Sequence, residues 1–183
     1  MVHFYENIQG WFNFSRLYSY VVQISPNKSH FVEVGIWKGK SAAYMGVEIV
    51  NSGKEIRLDC IDPFIPVGDE MPEFKITHEE LKNTFINNMK PLEGHYNLIT
   101  TGSPKCTEIY QDKSIDFVFI DGDHSYDAVV KDINAWMPKV KKGGIISGHD
   151  YEIPSVKKAC HDILGECTLK DPWGDGCWML KVE

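Results

Sequence analysis

The sequence predicts an α/β domain built on a doubly wound, mostly parallel, seven-stranded sheet that closes with a C-terminal antiparallel hairpin. Three observations carry this. From residue 29 onward, short β-branched runs between turn residues alternate with segments of helical spacing. The first such run leads into a glycine-bearing loop and then a helix-like stretch, as a βα unit requires. The chain has 183 residues, 43% of them apolar and 25% charged, enough for one folded core.

The elements follow in order. The first 24 residues are aromatic and apolar and are expected to form a helix over the sheet or part of a site, making 1–28 a helical cap. Strands are expected at His30–Val34, Ile56–Ile61, Tyr96–Thr100, Ile115–Ile120 and Gly144–Ser147, whose near-continuous apolar character suits strands covered on both faces. Helices are expected at Ser41–Val50, Glu79–Met89, Tyr126–Trp136 and Ser155–Leu164. In the third, Val129, Val130, Ile133 and Trp136 make one apolar stripe. Cys167–Lys170 and Cys177–Val182, joined by Asp171-Pro-Trp-Gly-Asp-Gly, read as the closing hairpin. The segment 63–90 is longer than a plain connection and reads as a substrate lid, with Phe64 and Phe74 facing an apolar acceptor. No linker or repeat interrupts the chain, so 1–183 reads as one domain.

Composition excludes several function classes. A formal net charge of −7 without a long basic run disfavours nucleic acid as a partner. No uncharged apolar stretch approaches the ~18 residues of a membrane span, and the N-terminus lacks a signal-peptide pattern. Cys60, Cys106, Cys160, Cys167 and Cys177 form no C-x-x-C pair, which points to reduced thiols in a cytoplasmic protein. The aromatic N-terminus suits packing across a homodimer.

The loop Glu33-Val-Gly35-Ile-Trp37-Lys-Gly39-Lys-Ser41 closes the first strand and opens the first helix of the sheet layer. Ligands bind at that edge in open α/β sheets. Gly35 and Gly39 would let the backbone approach a ligand, and the helix N-terminus suits an anionic group. Three ligand classes could use such a loop. A dinucleotide site needs glycine where Trp37 stands. A triphosphate loop needs one more residue than Gly35-Ile-Trp-Lys-Gly39-Lys-Ser41 provides, although Phe117–Asp121 imitates its partner strand. The third pattern is E-x-G-x-x-x-G-x-S, present here at Glu33, Gly35, Gly39 and Ser41.

Other candidates lie at the same edge. Asp62 ends the second strand, where an acid commonly accepts from both ribose hydroxyls of a nucleoside cofactor. Asp121-Gly-Asp123-His124 ends the fourth strand and His149-Asp150 the fifth. Converging carboxylates and imidazoles at adjacent strand ends need a cation or proton to balance them.

Val32–Met45 resembles the first motif of class I S-adenosylmethionine-dependent methyltransferases of the catechol type, matching at Glu33, Gly35, Gly39 and Ser41 with an aromatic at Trp37. Asp-Gly-Asp-His-Ser-Tyr and Gly-His-Asp-Tyr are similar to bacterial enzymes that methylate sugar and macrolide hydroxyls, and Lys141-Lys-Gly-Gly resembles the turn before their fifth strand. The resemblance covers residues 30–151 well and the rest by layout. It implies a Rossmann-like methyltransferase fold and S-adenosylmethionine as cofactor. Glu33, Gly35, Trp37 and Gly39 would line its methionine part, Ser41 would hold its carboxylate, Asp62 its ribose and Ser103 would lie near its adenine, with Asp121 also at the cofactor. A divalent metal, magnesium or manganese, would bind Asp121, His149 and Asp150. The family usually has a carboxylate in place of His149, and an imidazole shifts preference toward manganese, iron or zinc. His124, or in reserve Asp123, would take the proton from a hydroxyl of a small-molecule acceptor. The alternatives are a triphosphatase and a non-catalytic binding module of the same fold.

Overall fold

The computed structural model of the chain describes residues 1–65, 76–165 and 172–183. Among them six strands form one sheet: β1 (His30–Val34), β2 (Arg57–Ile61), β3 (Asn97–Ile99), β4 (Ile115–Ile120), β5 (Val140–Gly148) and β6 (Trp178–Lys181). Their order is β3-β2-β1-β4-β5-β6, parallel except for β6, which pairs antiparallel with β5. Chain order reverses between β1 and β4, and that switch point opens a crevice at the carboxyl ends of the strands. The expected strand Cys167–Lys170 lies outside the described residues, so the sheet is six-stranded among those described and the antiparallel partner of β6 is β5.

Among the described residues five α-helices flank the sheet: α1 (Ser15–Ile24), α2 (Lys40–Ser52), α3 (His78–Asn88), α4 (Tyr126–Trp136) and α5 (Pro154–Leu164). Side chains alternate across each strand. Phe31, Leu58, Cys60, Phe117 and Phe119 therefore join α1, α2 and α3 in one apolar layer, while Val32, Val34, Val118, Ile120 and Ile146 join α4 and α5 in the other. Glu33 shares the face of Phe31, an acid in the register of a core residue. Thr77 and Glu80 close a reciprocal capping box that starts α3 where the sequence places it.

Three expectations change. The N-terminal helix covers only Ser15–Ile24; before it, Gly10 at φ +143° breaks helical geometry and the aromatic residues pack one by one. The β5 strand begins at Val140 rather than Gly144; Gly143 N–H donates to Val182 at 2.7 Å and Val182 N–H to Gly144 at 2.9 Å, tying in an irregular stretch where Gly143 turns at φ +81° and the register with β4 shifts. Phe64 is fully buried against Phe85 instead of facing an acceptor, held by its N–H to Asp62 at 2.6 Å. Phe74 lies outside the described residues. Cys60, Cys106, Cys160 and Cys177 are buried free thiols, and no described helix is long and apolar enough to cross a membrane.

Candidate active site

The crevice is built by backbone contact between the ends of β1 and β4. Asp121 N–H donates to Val34 at 2.8 Å and Gly35 N–H to Ile61 at 2.9 Å. At Gly35, φ is +84° and a Cβ would stand 2.0 Å from the Asp121 carbonyl oxygen. At Gly39, φ is +89° and a Cβ would come 2.9 Å from the Phe85 ring. The sequence suggested that both glycines make room for a ligand; in the structure each makes room for the protein itself.

Asp62 ties the same loop down. One of its oxygens accepts from the N–H groups of Ile36 and Trp37 at 3.1 and 2.9 Å, and the other from Phe64. Burial raises its pKa against these three bonds. Trp37 adopts φ +42° and stacks on Trp11 at 5.4 Å, while Lys38 bonds the side chain of Gln9. The irregular N-terminal stretch thus lies directly over the loop.

Beneath it, Ser41 in the first turn of α2 donates its hydroxyl to one oxygen of Glu33. The other Glu33 oxygen is buried without a partner. Burial first pushes the Glu33 carboxyl up to about 8, with the charge of Asp121 adding to it, against the lowering effect of the Ser41 and Tyr18 hydroxyls. This arrangement removes support from the triphosphatase alternative. The serine that would serve a phosphate donates its hydroxyl to the buried Glu33 instead.

Ser103 is placed after β3, but its hydroxyl donates to Asp132 and accepts from the Trp136 indole at 2.9 Å, so it joins the loop to α4. The Asp132 carboxyl is raised to about 6, by burial first.

The acidic and histidine residues converge as the strand order demands. Ligand atoms of Asp121, His124 and Asp150 all lie within 4.8 Å of one another, a set of two carboxylates and an imidazole that could hold a divalent cation. His124 Nε2 is 2.8 Å from Asp150 and 3.7 Å from Asp121. Those two carboxylates push its pKa up to about 10, and His124 in turn holds Asp150 well below the carboxylate range. Asp150 sits at φ +56°, a left-handed conformation that aspartate tolerates better than most residues. His149 borders the set, its Nδ1 at 3.3 Å from Asp150 and 3.9 Å from Asp121, while its Nε2 meets Asn13 at 2.9 Å. Asp123 is exposed and accepts the N–H of Ser125 at 2.8 Å.

Sequence reasoning missed three residues here. Asn13 links His149 to the backbone of Asp175, and Asp175 is a buried acid with both oxygens unpartnered. Tyr18, on the stripe Leu17, Tyr18, Val21 and Val22 of α1, reads as plain core yet carries a buried hydroxyl near Glu33. No spacing rule signals any of them, because each acts across the fold from a segment with no motif.

A family model described as a methyltransferase domain matches residues 32–151, which span the crevice and the acidic cluster. The chain belongs to this methyltransferase family. An uncharacterized protein of Acanthamoeba polyphaga mimivirus is 29% identical over 147 residues, 73% of this methyltransferase and 60% of its relative, so the chain spans under two thirds of that protein. Solved structures share the fold at low identity. The TDP-rhamnose 3′-O-methyltransferase of calicheamicin biosynthesis, CalS11, is 14% identical with TM-score 0.62, covering 91% of this chain and 77% of its own. The O-methyltransferase NovP is 18% identical with TM-score 0.63, covering 92% and 78%. An rRNA methylase of Streptococcus thermophilus is 11% identical with TM-score 0.61, covering 92% and 95%.

Proposed function

We propose that this methyltransferase moves the methyl group of S-adenosylmethionine to an oxygen of a small-molecule acceptor, with a divalent cation, magnesium or manganese, at Asp121, His124 and Asp150 beside His149. The observation that carries the reading is the unpartnered, buried Glu33 oxygen under the switch-point loop. S-adenosylmethionine supplies an electrophilic methyl on a sulfonium centre and brings an amino-acid tail with one cationic and one anionic group. Glu33 suits the positive groups, and the N-terminus of α2 at Ser41 suits the carboxylate. Asp62 spends three acceptor positions on backbone N–H groups, out of about four on a carboxylate, so one remains for a ribose hydroxyl.

The cluster suits oxygen chemistry. A divalent cation there would supply Lewis acidity toward an acceptor hydroxyl. Proton removal falls to Asp123 where His124 holds the cation, or to His124 where it does not, and His124 can take a proton only once the one it shares with Asp121 and Asp150 has left. The sugar hydroxyl named for CalS11 supports an oxygen acceptor. Ribosomal RNA, the acceptor named for another enzyme of this fold, suits a chain of net charge −7 poorly.

The test is transfer from methyl-labelled S-adenosylmethionine to sugar-nucleotide and catechol hydroxyls, with and without Mn²⁺. Transfer that needs the cation and falls about 100-fold or more in Asp121→Asn supports the reading. Undiminished, cation-independent transfer in that variant contradicts it.

A further inference from the structure

Tyr18 and Glu33 present a matched pair of unmet hydrogen-bonding groups. Tyr18 is fully buried on α1, edge-on to Phe14 at 5.1 Å and to Phe119 at 5.0 Å, and its hydroxyl has no partner. The free Glu33 oxygen has none either. Each buried polar group left unmade costs free energy, so two adjacent ones in a packed core ask for a state in which both are met. The groups facing Glu33 come from every element around it: the Tyr18 hydroxyl from α1, the Ser41 hydroxyl from α2, the Cys60 thiol from β2 and the Asp121 carboxylate after β4. Ser41 already holds the first oxygen, and Cys60 and Asp121 supply no strong donor. Tyr18 is the one donor in this set that is still uncommitted.

We propose that Tyr18 is a positioning residue for the cofactor: in the bound state its hydroxyl donates to the free Glu33 oxygen and fixes the carboxylate toward the cationic groups of the amino-acid tail. The inference rests on the proposed cofactor, and it gives the N-terminal segment a function in binding beyond cover. With Ser41 on one oxygen and Tyr18 on the other, Glu33 is clamped from two helices. A clamped carboxylate recognises an ammonium or sulfonium without paying rotamer entropy on binding. 5′-Methylthioadenosine lacks the amino-acid tail that Glu33 would hold, so a loss confined to S-adenosylhomocysteine belongs to the tail.

The experiment is calorimetric titration of wild type, Tyr18→Phe, Glu33→Gln and the double variant with S-adenosylhomocysteine and with 5′-methylthioadenosine, which lacks the tail. Apo melting is recorded for each. Tyr18→Phe removes one oxygen and keeps the ring. It should weaken S-adenosylhomocysteine about tenfold, the worth of one hydrogen bond to a charged group, and leave methylthioadenosine unchanged. Its apo melting temperature should hold or rise, since an unmet buried hydroxyl has gone. In the double variant the loss should match that of Glu33→Gln alone, because both act through one group. Equal loss for both ligands, or no loss for either, overturns the role of Tyr18 while leaving the cofactor in place. Wild type that binds neither ligand overturns the cofactor reading itself, and this inference with it.

Discussion

The imidazole of His124 lies 2.8 Å from the carboxylate of Asp150, joining the ends of two adjacent parallel strands. The pair has a defined pH window. His124 is raised from 6.5 to about 10, so its contribution is complete below pH 6.5 and is lost as pH rises through 10. Asp150 is held below its ordinary 3.8, so its contribution is complete above that value and is lost on acidification. Removing the imidazole with His124→Ala should therefore destabilise the metal-free protein most between about pH 4 and 6.5, and least near pH 10. Thermal unfolding of both proteins across that range checks this. A deficit that grows toward pH 10 would contradict the pairing.

Glu33 behaves in the opposite sense. Its folded pKa of about 8 exceeds the ordinary 4.5, so the folded chain keeps a proton that the unfolded chain has released. Stability of the ligand-free protein should fall as pH rises from 4.5 to 8 and level off above it. Glu33→Gln cannot lose that proton. It should melt higher than wild type at pH 8 and above, by at least a few degrees, while losing affinity for S-adenosylhomocysteine. Parallel melting curves with no crossing or gap would show that Glu33 is ionised and satisfied in the folded state.

Gly35 should tolerate no side chain. A Cβ there would stand 2.0 Å from a backbone oxygen that β4 holds in place, at a φ of +84°. Gly35→Ala should cost about 2 kcal/mol or more, measured by denaturant unfolding. Gly53→Ala is the control, since φ is +69° but nothing lies within 4 Å of its Cβ. Equal losses in the two variants would mean that backbone strain, and not contact with Asp121, sets the cost.

These residues also mark what could be read in advance. Glu33 and Ser41 were legible because eight positions of one βα loop bring them together, and local spacing carries that geometry. Alternation of strands and helices pointed to a mostly parallel sheet, whose strand ends share one edge, which is why Asp121 and Asp150 were placed together. Which histidine completes their cluster was not legible. His124 lies in the tight set with Asp121 and Asp150, while His149 stands beside it with Nδ1 at 3.3 Å from Asp150 and its other nitrogen on Asn13, from the distant N-terminal stretch. Ser103 shows the same limit: the strand end was found, but Asp132 and Trp136 one helix away take its hydroxyl. Asp59, inside β2, is fully buried and bonded by His30, Arg57, Asn97 and Tyr110, a structural network away from the crevice. Phe64 looked available to a ligand, but its N–H donates to the Asp62 carboxylate and its ring is buried. Sequence gives the end of each strand; long-range partners decide where a side chain at that end is spent.

The most direct test of the account is calorimetric titration of the purified protein with S-adenosylhomocysteine, with and without Mn²⁺, in wild type and Glu33→Gln. The account predicts binding in the micromolar range by wild type and loss of at least about tenfold in the variant, with a separate Mn²⁺ response that Asp121→Asn removes. No binding by wild type under either condition would contradict the cofactor assignment on which the proposed reaction depends.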